Sequence, residues 1–173
     1  MEEKKPISHL VAGLIIAAIL VVYSILINYM DLSQNQTMGW ISYIILLGGL
    51  ILFVNLYGKA KNNQVTFGNL FSYGFKATAI ITLIMVLFIV IFFMAFPEFK
   101  DKIVEAAREG MEKQGKMTDD QIDQGMAMFE QNFILFSAGG ALFMYLILGA
   151  IGSLIGAAIT KKQPRSPFEQ QSL

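Results

Sequence analysis

The sequence predicts an all-α integral membrane protein, built as a bundle of four membrane-spanning helices. Of its 173 residues, 55% are hydrophobic and only 15% are charged, whereas soluble domains are about 45–50% apolar and about 25% charged. Four stretches contain no charged residue at all, and each is long enough to cross a hydrocarbon core of about 30 Å, which takes roughly 20 helical residues. The low charge also excludes a nucleic-acid-binding protein, because that class requires a strongly basic surface.

The four predicted spans are residues 10–30, 40–58, 77–96 and 133–160. Each is predicted to be a helix, because backbone polar groups in lipid must be paired and the alternating pattern of barrel strands is missing. The first span follows a basic start, as a signal peptide does, but its apolar run is longer than about 15 residues. Residues 28–31 also offer no small-residue cleavage site. We therefore expect the first span to be retained in a single membrane domain, residues 1–173.

Lysine and arginine residues outside the spans indicate the orientation. The N-terminus, the second connection and the C-terminal tail, residues 161–173, carry eight basic residues against three acidic ones. The first and third connections carry five basic residues against ten acidic ones, so the net charge of zero divides into a positive and a negative side. Because basic loops remain in the cytoplasm, both termini are expected there. Lys100 and Lys102, close to a span end, are the one discordant signal.

The second connection is predicted to contain a short helix. Phe67, Leu70, Phe71 and Phe75 recur at helical spacing within residues 65–76 and share one face. This pattern indicates a short cytoplasmic interfacial helix before the third span. A gating or lipid-binding element is the alternative interpretation, since nearby lysines can reach lipid headgroups.

The third connection, residues 97–132, predicts an extracytoplasmic helical hairpin between spans three and four. Pro97 suits the first turn of a helix, and Gly115 suits its end. Thr118 and Gln121 have the spacing of a capping box, which marks the start of a second arm. The apolar face of this arm continues into the fourth span, so we expect the two to form one continuous helix.

Two sets of residues within the spans are candidate sites. Asn28 and Asn55 are the candidate intramembrane polar contacts, because an amide in lipid needs a partner between helices or at an interface. Lining of a polar pathway is the alternative for both. Small residues repeat every fourth position in the fourth span and allow close backbone approach, within the monomer or between protomers. This candidate helix-packing face consists of Gly149, Gly152, Ser153, Gly156 and Ala157.

Residues that carry catalytic or metal chemistry are scarce. The chain has no cysteine and a single histidine, His9, which excludes thiol nucleophiles, Cys/His metal sites and catalysis by two histidines. Asp119, Asp120 and Asp123 lack the spacing of a calcium-binding loop. We therefore expect no enzymatic activity, no cofactor and no bound metal.

Several segments resemble a known family of bacterial membrane proteins, the domain of unknown function 4199, which is found mostly in Bacteroidota. The resemblance covers nearly the whole chain and includes the glycine-rich end of the fourth span before Lys161. Its other segments are residues 41–45 (ISYII), 67–74 (FGNLFSYG), 97–99 (PEF) and 112–122 (EKQGKMTDDQI). The resemblance implies a four-span inner-membrane protein, and it implies no activity or binding residue because the family has none established.

The expected function follows from these features. We expect a multi-pass protein of the bacterial inner membrane, surrounded by the lipid bilayer, with a structural or accessory role. The outer hairpin is the surface expected to contact a partner, either a membrane protein or a second copy of the chain. The alternative is an oligomeric channel or permease for a small solute or ion.

Overall fold

Six α-helices follow one another along the part of the chain that the computed structural model describes, residues 5–32 and 35–163. Residues 164–173 of the predicted tail therefore lie outside the described part, as do Lys4 and the acidic residues Glu2 and Glu3. The helices are α1 (His9–Tyr29), α2 (Gln36–Ala60), α3 (Phe67–Ala95), α4 (Pro97–Gln114), α5 (Asp119–Gln131) and α6 (Phe133–Ile159).

Polar side chains cap the start of α1, α2 and α3. Ser8 Oγ accepts a hydrogen bond from the Val11 backbone N–H at 3.2 Å, which satisfies one of the free donors at the start of α1. Asn35 caps α2 in the same way, and Thr66 caps α3. At α5, Gln121 Oε1 accepts a hydrogen bond from the backbone N–H of Thr118, the residue before the helix, at 3.1 Å, as the capping box predicts.

Four helices, α1, α2, α3 and α6, are long and apolar enough to cross a membrane. The helices α2 and α3 contact each other, and each also contacts both α1 and α6. Because α1 and α6 make almost no contact with each other, they lie on opposite sides of the α2–α3 pair. Large apolar side chains cover the outside of these helices, and Leu83, Leu135 and Phe143 are each at least 59% exposed, as is expected of helices surrounded by lipid.

Packing is tightest at the end of the bundle where α1 and α3 begin and where α2 and α6 end. We call this the basic end, because Lys59, Lys61, Lys76, Lys161 and Lys162 lie there. Apart from Phe133, the buried residues of the four long helices fall at positions 12–20, 46–58, 70–85 and 149–157. The opposite end, which carries α4 and α5, is the hairpin end, and its helices pack less closely.

Two helix boundaries in the structure differ from those that the sequence predicts. Residues 67–76 do not form a separate helix but the first part of α3, because Leu70 and Gly74 pack into the bundle and no residue breaks the helix. The second hairpin arm is not continuous with the fourth span, since α5 and α6 are interrupted at Asn132. The interruption is confined to this one residue, which has a φ of −109°, because its backbone N–H still donates to the Met128 carbonyl at 3.1 Å and its carbonyl still accepts from the Phe136 N–H at 2.9 Å.

Candidate functional site

A polar cavity of about 390 Å³ opens at the basic end, beneath the first turn of α1. It is the candidate site, because it combines concave shape with polar and basic groups from three helices. Its lining consists of Pro6, Ile7, Ser8, His9, Tyr57, Lys61, Asn69, Ser72, Tyr73 and Lys76.

The cavity exists because α1 is shorter than its neighbours at this end. Gly13 of α1 lies against Ala77 of α3, since a methyl group built on Gly13 would be 2.9 Å from the Ala77 carbonyl oxygen. The two helices run in parallel from that contact, so His9 lies level with Tyr73. The six residues of α3 before Tyr73 therefore extend about 9 Å further than α1, at about 1.5 Å per residue. The space that α1 does not fill is the cavity.

Tyr73 connects the three helices around the cavity. Its hydroxyl donates to the Ile7 carbonyl at 3.0 Å, a bond between residues 66 positions apart in the chain. Its ring stacks on Tyr57 of α2, with 4.3 Å between the ring centroids and 14° between the planes. The His9 ring meets it edge to face at 6.4 Å. Because Tyr73 is only 6% exposed, it forms a rigid wall rather than a mobile surface group.

The cavity is positively charged. Lys61 and Lys76 line it, and the N-terminus of α1 adds the partial positive charge of a helix dipole. Within the described residues, carboxylates occur only at Asp31 and between positions 98 and 130, all of them at the hairpin end. In the same part of the chain, no group of three or more potential ligands from His, Cys, Asp and Glu gathers to hold a metal ion. The groups present thus suit an anion.

The two asparagines predicted as polar contacts lie apart. Asn28 is near the hairpin end of α1, and its amide donates to the Ser24 carbonyl at 2.7 Å, within its own helix. It lines an apolar cavity of about 290 Å³ between α1 and α3, together with Phe88 and Phe92. Asn55 is half-buried on α2, toward the basic end. The structure therefore does not join these two side chains into a polar pathway.

The predicted helix-packing face of α6 is buried inside the bundle. Methyl groups built on Gly152 and Gly156 would contact Leu50 and Val54 of α2 at 3.3 and 3.0 Å. Ala157 is completely buried and packs in the same cluster as Val54. These small residues bring α6 close to α2 within a single chain.

Glycines and hydroxyl side chains alternate across the contact between α3 and α6. The Thr78 side chain of α3 fills the space beside Gly149 of α6. The Ser153 side chain of α6 likewise fills the space beside Gly74 of α3. Thr78 donates to the Gly74 carbonyl at 3.1 Å, and Ser153 donates to the Gly149 carbonyl at 2.7 Å. Each hydroxyl is thus satisfied within its own helix and serves as a packing group toward the other, so the two backbones approach closely.

The helices α4 and α5 pack on each other at the hairpin end. Arg108 of α4 bonds to Asp123 of α5 at 2.7 Å, and this hydrogen bond is the main reason that the pKa of the Arg108 guanidinium is raised. Lys102 reaches Asp31, just after α1, at 2.7 Å. Both pairs are exposed, so they orient the hairpin more than they stabilise it.

The polar face of the cavity was missed in the sequence. Asn69, Ser72, Tyr73 and Lys76 follow the spacing i, i+3, i+4 and i+7, which places them on one side of α3. The sequence interpretation placed the lysines near lipid headgroups but did not recognise that Lys76 shares a face with Asn69, Ser72 and Tyr73. The polar spacing could have been recognised, but its neighbours from α1 and α2 could not.

A bundle of four long apolar helices, with large apolar side chains exposed on its outside, is characteristic of a helical membrane protein. Over residues 11–162, the chain matches the family described as "Protein of unknown function (DUF4199)". The chain belongs to this family, as the sequence resemblance predicted. No curated protein and no solved structure matches it.

Proposed function

We propose that this chain is a non-enzymatic accessory protein of the bacterial inner membrane, with both termini in the cytoplasm, and that it contacts a membrane partner through its outer hairpin. The observation that carries the proposal is that the hairpin combines buried apolar side chains with methionines that are exposed at its surface. Ile122 and Met126 are each 3% exposed, whereas Met117 and Met128 at its surface are 53% and 61% exposed.

The hairpin surface is also acidic. Residues 97–132 contain nine acidic and five basic residues. The ion pairs in the described part of the hairpin involve Glu109, Glu112 and Asp123, and Asp119 and Asp120 are exposed at the start of α5. A partner with a basic surface is therefore the chemistry that fits, because complementary charge steers association.

The distribution of lysines supports the orientation. The basic end carries six described lysines, because Lys5 also lies there, just before α1, and such residues are retained on the cytoplasmic side. The two discordant lysines have local partners, since Lys100 lies 6.0 Å from the Phe133 ring centroid and Lys102 pairs with Asp31. The eight basic residues of the predicted cytoplasmic regions, against five in the outer connections, therefore still favour both termini in the cytoplasm.

Single-cysteine labelling tests the orientation, because the chain has no cysteine of its own. Met117→Cys should react with a membrane-impermeant maleimide in intact spheroplasts. Asn62→Cys, in the connection between α2 and α3, should react only after the membrane is permeabilised. The reverse pattern would contradict the proposed topology.

Photo-crosslinking tests the partner contact. A photoreactive residue at Met117 or Met128 should give one discrete protein adduct, while the same residue at the lipid-exposed Phe143 should give none. Changing Asp119 and Asp120 to asparagine should weaken the adduct if charge steers the contact. An adduct of equal yield from Phe143, or no adduct from either hairpin position, would contradict the accessory role.

An oligomeric channel is the weaker alternative. The small residues of α6 that could have joined protomers pack against α2 and α3 of the same chain. The centre of the bundle is filled by apolar side chains such as Leu20, Leu50 and Ile81, each no more than 1% exposed. Solute-selective flux through liposomes containing the purified protein would favour the channel over the accessory role.

A further inference from the structure

We propose that the cavity at the basic end binds a phosphate group, and that this phosphate belongs to the headgroup of an anionic phospholipid. The cavity lies at the opposite end of the bundle from the hairpin, so the proposal is independent of any partner contact. It concerns a site for one lipid molecule rather than a general attraction of the surface to the bilayer.

The donors in the cavity match a phosphate. Lys61 comes from the end of α2 and Lys76 from the third turn of α3, so two ammonium groups approach from different helices. Ammonium groups bind phosphate oxygens through charge-assisted hydrogen bonds. Asn69 and Ser72, on the same face of α3, add an amide and a hydroxyl donor. The Val11 N–H is bonded to Ser8 Oγ, but the N–H groups of His9 and Leu10 at the start of α1 have no acceptor within the helix, and such groups also bind anions.

The cavity has the size and rigidity of a binding site. Its volume of about 390 Å³ falls in the usual range of small-molecule pockets, about 300–1,000 Å³. The stacked rings of Tyr57 and Tyr73 form one wall, and the Tyr73–Ile7 hydrogen bond holds the start of α1 above it. A wall that is in place before the ligand arrives loses little conformational entropy on binding.

The surroundings favour a lipid over a soluble phosphate. Leu10 follows the lining residue His9, and its side chain is 48% exposed. Phe75 precedes the lining residue Lys76, and its side chain is 41% exposed. Acyl chains attached to a bound headgroup can lie along these apolar side chains. Tyrosines at the same level are typical of the boundary between headgroups and hydrocarbon.

Native mass spectrometry of the purified full-length chain tests the proposal. Phosphatidylglycerol should bind with a one-to-one stoichiometry, and phosphatidylcholine, which has no net charge, should bind at least tenfold more weakly. The double variant Lys61→Gln/Lys76→Gln should raise the Kd for phosphatidylglycerol roughly thirtyfold, on the basis of about fivefold for each lysine near an anionic lipid.

Two further variants separate a cavity from surface charge. Lys59→Gln/Lys161→Gln removes the same charge from the same end without touching the lining, and should change the Kd less than twofold. Ser72→Leu narrows the cavity without any change of charge and should weaken binding at least fivefold. All variants should keep the wild-type melting temperature to within a few degrees, because Lys61 and Lys76 are exposed and Ser72 is only half-buried.

Three outcomes would overturn the proposal. Equal losses from the two lysine pairs would show diffuse attraction rather than a site. Unchanged binding in Ser72→Leu would remove the cavity from the explanation. Displacement of the lipid by an equal concentration of soluble glycerol phosphate would assign the site to a free phosphate instead. None of these results would alter the crosslinking at Met117, so failure here is distinguishable from failure of the accessory role.

Discussion

Replacement of Gly149 by alanine tests the close contact between α3 and α6. The added methyl group would overlap the Thr78 methyl group and would lie 2.5 Å from Thr78 Oγ1. Carbon atoms in van der Waals contact are about 3.5–4.0 Å apart, so one helix must move away by about 1 Å. Thr78 cannot rotate freely out of the way, because it is completely buried and its hydroxyl is bonded to the Gly74 carbonyl.

The expected loss of stability is about 1–2 kcal/mol. Overpacking a close contact costs about 1–3 kcal/mol, and alanine regains up to about 1 kcal/mol over glycine inside a helix. Gly140 provides a matched control in the same helix, since nothing lies within 4 Å of a methyl group built there. Gly140→Ala should therefore leave the stability unchanged or raise it by as much as about 1 kcal/mol.

Reversible unfolding by SDS in mixed micelles, followed by circular dichroism, measures both changes. Thr78→Ala combined with Gly149→Ala removes the two atoms closest to the new methyl group but leaves Thr78 Cβ at 2.9 Å, so it should recover only part of the loss. The two substitutions should be coupled by at least about 1 kcal/mol. Equal stabilities of the Gly149 and Gly140 variants, or strict additivity with Thr78→Ala, would refute this account of the contact.

Three other predictions follow from single contacts. Tyr73→Phe removes the donor to the Ile7 carbonyl and should cost about 1 kcal/mol, measured as faster amide hydrogen exchange in the first turn of α1; unchanged exchange would contradict it. The hydrogen bond from Lys113 lowers the pKa of the Glu109 carboxyl, so this pair contributes stability above the ordinary glutamate pKa and loses it as the pH falls through the lowered value. An NMR titration should show that Lys113→Gln raises the pKa of Glu109, and no rise would disprove the pairing. Gly115 has a φ of 59°, a conformation in which a residue with a side chain costs about 1–2 kcal/mol. Gly115→Ala should therefore lower the thermal stability of the hairpin. Equal stability would mean that another turn conformation is accessible.

Features that depend on neighbouring residues in the chain were predicted well. The four apolar helices, the proline at the start of α4, the glycine after it and the capping contact of Gln121 all agree with the sequence interpretation. Each depends on interactions within about one helical turn, so a single sequence contains the information.

Predictions that required knowledge of neighbouring helices were less complete. Phe67 and Phe75 share a face with Leu70, but only Leu70 is buried, while the phenylalanines are 43% and 41% exposed. The segment was expected to form a short interfacial helix before the third span. In the structure it packs into the bundle as part of α3, because α2 and α6 extend far enough to cover Leu70 and Gly74.

By itself, the sequence determined that the chain forms apolar helices, where most of them begin and end, and how charge is divided between the two ends. These properties follow from hydrophobicity, capping and the requirement for backbone pairing in lipid. Only the tertiary structure decided which helices meet and which gaps remain between them. The basic cavity arises from the unequal extent of α1 and α3 beyond the contact between Gly13 and Ala77, and that offset is set by side-chain packing between helices far apart in the chain.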